Sequence, residues 1–290
     1  LACPDEKPPA GHASTAIEGN PHSLEEVSRL AEGREVMAAR RAKTEVLNYL
    51  RVLEHIDRYQ KGGMISEENI LTLHRDITHD TLDDPATEGA FRKVRVVVGN
   101  RHTKEVVYSP PPPKEVVPQM HALAGWLNSD AAHQMHPVLV AGIAHYELVR
   151  VHPFVDGNGR TARALATLVL AMREFDIKRC FALDDFYDSD RPAYYPVLKA
   201  VNLTYPDCTV WLEYFMEGVE VSLHRVKERV LLLSSDEHRK VARGQVALSE
   251  RQMKIIEFIH NHGSVKSGDL MRLNGISRQA AGKELAQMVE

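Results

Sequence analysis

Apolar residues recur at helical spacing along most of the 290-residue chain. Leu165, Leu168, Val169 and Met172 fall at i, i+3, i+4 and i+7, which predicts a helix with one buried face. The stretch from Val138 to Val151 is apolar nearly all round and predicts a central, buried helix. Upstream, residues 23–60 read as helical through Val36, Leu47, Leu50, Leu53 and Ile56, until Gly62-Gly63 breaks the run. Ser66 is placed as the N-cap of a helix through about Ile77, with Leu71 on its apolar face. Residues 114–150 read as two helices, and 209–240 as one long amphipathic helix that Gly244 stops. The exception is 92–108, where Val94, Val96 and Val98 alternate with Arg95 and Val97. Gly99-Asn100 then marks a turn and Val106-Val107-Tyr108 returns, the pattern of a β-hairpin. Pro110 to Pro113 follows as a stiff extended strut.

The C-terminal 249–290 reads as a helix-turn-helix unit. Met253, Ile256 and Ile259 share one face, Leu270 and Leu273 mark a second helix, and Asn274-Gly275 make the turn. Ser277 caps a third helix carrying Leu285 and Met288. The expected fold is mainly α: a helical bundle with a hairpin, plus a small winged-helix-like module. The expected segments are a lead-in over 1–22, a main domain over 23–240 and the module over 248–290.

Composition narrows the partners. Hydrophobic content of 43% and charged content of 26% are ordinary for a globular chain, and a net charge of −4 points to neither nucleic acid nor a membrane surface. In the C-terminal module, six basic residues (Arg251, Lys254, Lys266, Arg272, Arg278 and Lys283) face five acidic ones (Glu250, Glu257, Asp269, Glu284 and Glu290). That balance favours protein contact or dimerisation over DNA contact. Cys3, Cys180 and Cys208 are odd in number and far apart, which suits a reducing, cytoplasmic setting. No apolar run approaches the roughly 20 residues of a membrane helix. The sequence begins at Leu1, with no signal-peptide pattern, and its true start is open.

The densest chemistry lies in His152-Pro-Phe-Val-Asp156-Gly-Asn158-Gly-Arg160-Thr-Ala-Arg163, between the two apolar helices. This polar run is a loop that opens a helix, where unpaired N–H groups and the helix dipole favour an anion. Gly157 and Gly159 let backbone come close to a ligand. Arg160 and Arg163, three apart, point to one side of the first turn. Together they suit a polyphosphate, with Asp156 as a hard oxygen ligand for Mg²⁺ and His152 as a base near neutral pH. Neither a Walker loop nor a dinucleotide fingerprint is present. His74 and His79, five apart, do not share a helix face and read as structural or surface residues. His145 reads as a core histidine.

This run resembles the Fic motif HPFx[D/E]GNGRxxR at every position. The resemblance implies transfer of AMP from ATP to a hydroxyl of a target protein. It implies that Asn158, Arg160, Gly157 and Gly159 hold phosphates, that Arg163 holds the γ-phosphate, and that His152 takes the hydroxyl's proton. Phe154 is expected to pack inward and pin the loop. Ser14-Thr-Ala-Ile-Glu18-Gly19 resembles the family's inhibitory motif, which implies that Glu18 pairs with Arg163 and blocks productive ATP binding. The 92–108 hairpin resembles the family's flap, with Val94, Arg95, Val96 and Val97 as the edge that takes up target main chain. Tyr195 and Asn202, seven apart on one helix face, resemble the family's adenine-contacting pair. Relatives often dimerise. Two further readings stay open: hydrolytic removal of AMP by the same site, and an ATP-sensing regulator acting on DNA through the C-terminal module.

Overall fold

The computed structural model describes residues 11–17, 26, 29, 40–99, 106–175, 183–244, 258, 265–274, 276–277 and 280. Within helices, some side chains lie outside it, among them Asn202 and all of 229–244. Two compact units divide at Val226 and Lys227.

The first unit is helical. Its described helices are α1 (Gly11–Ile17), α2 (Arg40–Glu54), α3 (Glu67–Thr78), α4 (Pro113–Leu127), α5 (Asp130–Gln134), α6 (Pro137–Val151), α7 (Asn158–Met172), α8 (Leu183–Ser189) and α9 (Arg191–Thr204). A further helix, α10 (Thr209–Gly244), begins in this unit. α6 and α7 form the middle of the core, and α2, α3 and the 3₁₀ turn Ile56–Tyr59 also pack on α7. α6 buries residues on nearly every side, from Val138 and Val140 to Leu148 and Val151, as its mostly apolar sequence requires. Gly142 lets α10 approach: a Cβ there would meet Leu212 at 2.8 Å, and its carbonyl accepts the indole N–H of the buried Trp211 at 2.8 Å.

Local sequence signals set several boundaries. Ser66 caps α3 by accepting from Asn69 N–H, and the Asn69 side chain accepts from Ser66 N–H in return. Pro112 is extended and Pro113 opens α4, so the strut stops one residue short of its expected end. Between α4 and α6 the structure adds a short helix, α5, to the two expected. Ser129 caps it through Ala132 N–H, a signal the sequence carried but too brief to show periodicity.

The hairpin is real but shorter than the alternation suggested. β1 (Val98–Gly99) pairs antiparallel with β2 (Val106–Tyr108), with an irregular register beside Val98. Residues 91–97 are not in a ladder, and Val94 and Val97 stand exposed. Of the expected helix-turn-helix unit, the described part is α11 (Ser267–Asn274), with Leu270 fully buried, and Ser277 accepting from Ala280 N–H at 3.3 Å. Its remaining helices, and any wing, lie outside the described residues. Among the described residues no helix is long and apolar enough to cross a membrane.

Candidate active site

The polar run lies where α6 ends and α7 begins. His152 terminates α6 in the left-handed region (φ 49, ψ 57), a position usually given to glycine, and its N–H donates to Leu148. A side chain there is strained by roughly 1–2 kcal/mol. The strain is offset by a buried arginine. Arg92, 3% exposed, donates from Nε to the His152 carbonyl at 2.7 Å and from Nη2 to Pro111 at 2.7 Å and Val151 at 3.3 Å. Its Nη1 donates to Val94 at 3.0 Å, and its own N–H donates to Pro153 at 2.8 Å. One cation thus ties both ends of the hairpin segment to the turn that holds the histidine. The His152 Nδ1–H donates to the Val149 carbonyl at 3.2 Å, which assigns the basic lone pair to Nε2.

Phe154 is fully buried, as expected. It stacks on His74 with centroids 3.7 Å apart and planes 6° from parallel. His74 is a structural residue that the loop depends on. Gly89 N–H donates to its Nδ1 at 2.9 Å, so its Nε2–H donates to the Asp156 carbonyl at 2.9 Å. Burial holds its pKa down to about 4, so the ring keeps this neutral, two-sided role. Asn158 clamps the same loop: Oδ1 accepts from Phe154 N–H at 2.9 Å and Nδ2 donates to Phe154 O at 3.0 Å. The family resemblance assigned this amide to phosphate; here it is engaged with Phe154 on both sides. Gly157 (φ 77) caps α7, and a Cβ there would lie 2.7 Å from Thr78 Cγ2, so both its conformation and the space demand glycine.

The charges converge on the start of α7. Asp156 accepts from Gly157 N–H at 2.6 Å on Oδ1. Arg160 Nη2 lies 3.8 Å from that oxygen, and Arg41 Nη2 lies 3.7 Å from Oδ2. Arg160 is 3% exposed, and among the described residues its Nε and Nη1 donate no hydrogen bond, although Glu45 comes within 3.9 Å of Nη1. Such donors, beside a helix N-terminus, match an anion. Among the described residues no group of three or more His, Cys, Asp or Glu side chains converges as a metal site.

Arg163, one turn on, is buried under α1. Its Nε donates to Ser14 Oγ at 2.7 Å and its Nη2 to the Ser14 carbonyl at 2.9 Å. Asp184 of α8 lies 3.3 Å from Nε and accepts from Tyr49 OH at 3.0 Å. Burial raises the Asp184 carboxyl to about 6 against the opposing pull of Arg163. Arg160 and Arg163 therefore serve separate partners. Glu18 lies outside the described residues; α1 ends just before it, and the Ile17 carbonyl accepts from Tyr195 OH at 3.3 Å. Tyr195 is 46% exposed on α9, and the backbone of Asn202 lies seven residues along the same helix. His145 is a core residue: fully buried, stacked on Trp211 at 4.7 Å, and hydrogen-bonded to Tyr194 at 3.3 Å.

Residues 64–170 match the Fic/DOC family. A protein adenylyltransferase fic-1 from Caenorhabditis briggsae is 32% identical over 217 residues, covering 73% of this chain and 39% of that protein. A protein adenylyltransferase Fic from Culex quinquefasciatus is 34% identical over 161 residues, covering 54% and 30%. The chain thus spans between 30% and 39% of these relatives' length. Among solved structures, a Fic family protein from Desulfovibrio desulfuricans G20 superposes with a TM-score of 0.65 at 25% identity, over 96% of this chain and 77% of that one. Fic-1 from Caenorhabditis elegans gives 0.63 at 28%, over 78% and 63%. The loop from His152 to Arg163 thus lies in a Fic/DOC family domain that this chain carries over residues 64–170.

Proposed function

We propose that the chain is a protein adenylyltransferase that moves AMP from ATP to a Ser, Thr or Tyr hydroxyl of another protein. The observation that carries this reading is the buried Arg160 guanidinium, with two donors unused among the described residues, beside Asp156 at the start of α7. The adenylyltransferase names of the relatives support the choice of nucleotide.

The residues divide the work by position. The first-turn N–H groups of α7 and Arg160 hold phosphate oxygens and offset the charge that builds at the transferring phosphorus. Asn158 and Phe154 keep the loop in shape for this contact. Tyr195 and Asn202 take the adenine. The flap edge, Val94 to Val97, lies outside the ladder and offers main chain for pairing with a target strand. His152 Nε2 removes the proton as the hydroxyl oxygen bonds to the α-phosphorus. The bond from that phosphorus to the bridging oxygen breaks, and pyrophosphate leaves.

Asp156 fits Mg²⁺. It is a single, partly exposed carboxylate beside a phosphate site, which is how this ion is usually held, with substrate phosphates and water completing its shell. Bound there, Mg²⁺ supplies charge neutralisation to the phosphates.

The same arrangement is self-inhibited. α1 covers Arg163, and Glu18 follows it directly, so a carboxylate at this arginine would exclude the γ-phosphate. Titrating ATP with Mg²⁺ into the Glu18→Gly chain in a calorimeter should give saturable heat that disappears when EDTA removes the metal. No heat in either condition would remove the nucleotide reading altogether.

A further inference from the structure

We propose that Arg41 is an additional binding residue for the outer phosphates of the nucleotide, supplied by α2 from outside the family-matched segment. This rests on the nucleotide reading above and extends it to a residue that the motif does not contain.

Asp156 is flanked by two guanidiniums, one on each oxygen: Arg160 at 3.8 Å and Arg41 at 3.7 Å. The two differ in freedom. The Arg160 side chain is 4% exposed and fixed in the wall, whereas that of Arg41 is 47% exposed on the open side. One carboxylate links them: Glu45, a turn along α2, accepts from Arg41 Nε at 3.5 Å and lies 3.9 Å from Arg160 Nη1. Among the described residues the remaining partner of Arg41 is Asp83, at 3.0 Å, whose side chain is 95% exposed. α2 therefore delivers a glutamate and an arginine, four apart, onto the start of α7.

Charge decides what Arg41 does when a ligand arrives. A divalent cation on Asp156 competes with Arg41 for the same oxygen and repels it. An ion pair with a carboxylate as exposed as Asp83 is weak, so it does little to hold the arm in place. The phosphate oxygens that come with the metal are the natural new partner. A planar guanidinium on a long arm can meet two of them at once, which an ammonium cannot. The inner phosphate lies toward His152 in the proposed reaction, so the open-side cation serves the β- and γ-phosphates, which depart as pyrophosphate.

Calorimetry on the full chain, with and without Glu18→Gly, tests this with Mg²⁺ and either ATP or AMP as titrant. Arg41→Gln should weaken ATP about tenfold, the usual size of one charge-assisted contact, while AMP affinity changes by less than about twofold because AMP lacks the outer phosphates. Arg41→Lys should recover part of the ATP affinity. Unchanged or tighter ATP binding in Arg41→Gln would overturn the proposal; tighter binding would mean that Arg41 merely occupies Asp156. An equal loss for ATP and AMP would also overturn it, as a general distortion of the site. Absence of ATP binding in the parent and Glu18→Gly chains alike would instead refute the nucleotide reading, and Arg41 with it.

Discussion

His152→Ala is expected to lower transfer of AMP by about 10²–10⁴, the range for loss of a positioned general base. ATP affinity should stay within about twofold, since the imidazole acts on the hydroxyl and not on the nucleotide. Two features of the structure support this separation. Nδ1 donates to Val149, so the ring is fixed by one nitrogen and acts with the other. The turn's shape depends on the His152 carbonyl, held by Arg92 at 2.7 Å, and not on the ring. The variant should therefore fold, bind ATP and fail at chemistry. Single-turnover labelling beside calorimetry checks both halves. A loss of ATP binding equal to the loss of rate would assign His152 to the nucleotide instead.

Glu18→Gly should act in the opposite direction. α1 buries Ala13, Ser14, Thr15, Ala16 and Ile17, spending both faces of this short helix on the protein. Its polar holds include the Arg163 contacts with Ser14 and the Tyr195 contact with Ile17. The helix thus sits between the proposed γ-phosphate arginine and the proposed adenine residue, where it would cover both ends of one nucleotide. Positioned arginines contribute about 10³–10⁵ to rates of phosphoryl transfer. Freeing Arg163 should therefore raise labelling of the chain itself, or of lysate proteins, by at least about tenfold. The increase should vanish in the double variant with His152→Ala. Labelling no better than the parent would mean that Glu18 is not the inhibitory residue, although Ser14 would still cover Arg163.

The loop could be read from sequence because its residue types are required by local geometry. Gly157 must be glycine at φ 77 beside Thr78, Phe154 must fill the core, and a helix must start at 158 to present its N–H groups. The helices were legible for a similar reason: Ser66 marks a start through hydrogen bonds made within a few residues, and Pro113 through its fixed φ and missing N–H. What stayed hidden depends on distant partners. Arg92 looks like any basic residue in a strand pattern, because the acceptors that define it are main-chain carbonyls of Val94, Pro111, Val151 and His152. Arg41 and Asp184 sit in helices whose patterns give no hint of what they face across the fold. The hairpin was overread, since alternating valines predict extended backbone but not which residues find a partner.

The Arg92 contacts also give the proposed flap a physical link to the proposed base. The segment that would receive target main chain and the turn that carries His152 share this one cation.

The most direct test of the account follows two phosphorus labels in the Glu18→Gly chain. With ATP labelled at the α-phosphorus, label should appear on protein hydroxyls; with ATP labelled at the γ-phosphorus, it should leave as pyrophosphate and none should stay on protein. Retention of the γ label on protein would contradict the account, because it would mean that the hydroxyl attacks the outermost phosphorus and that His152 stands at the other end of the nucleotide.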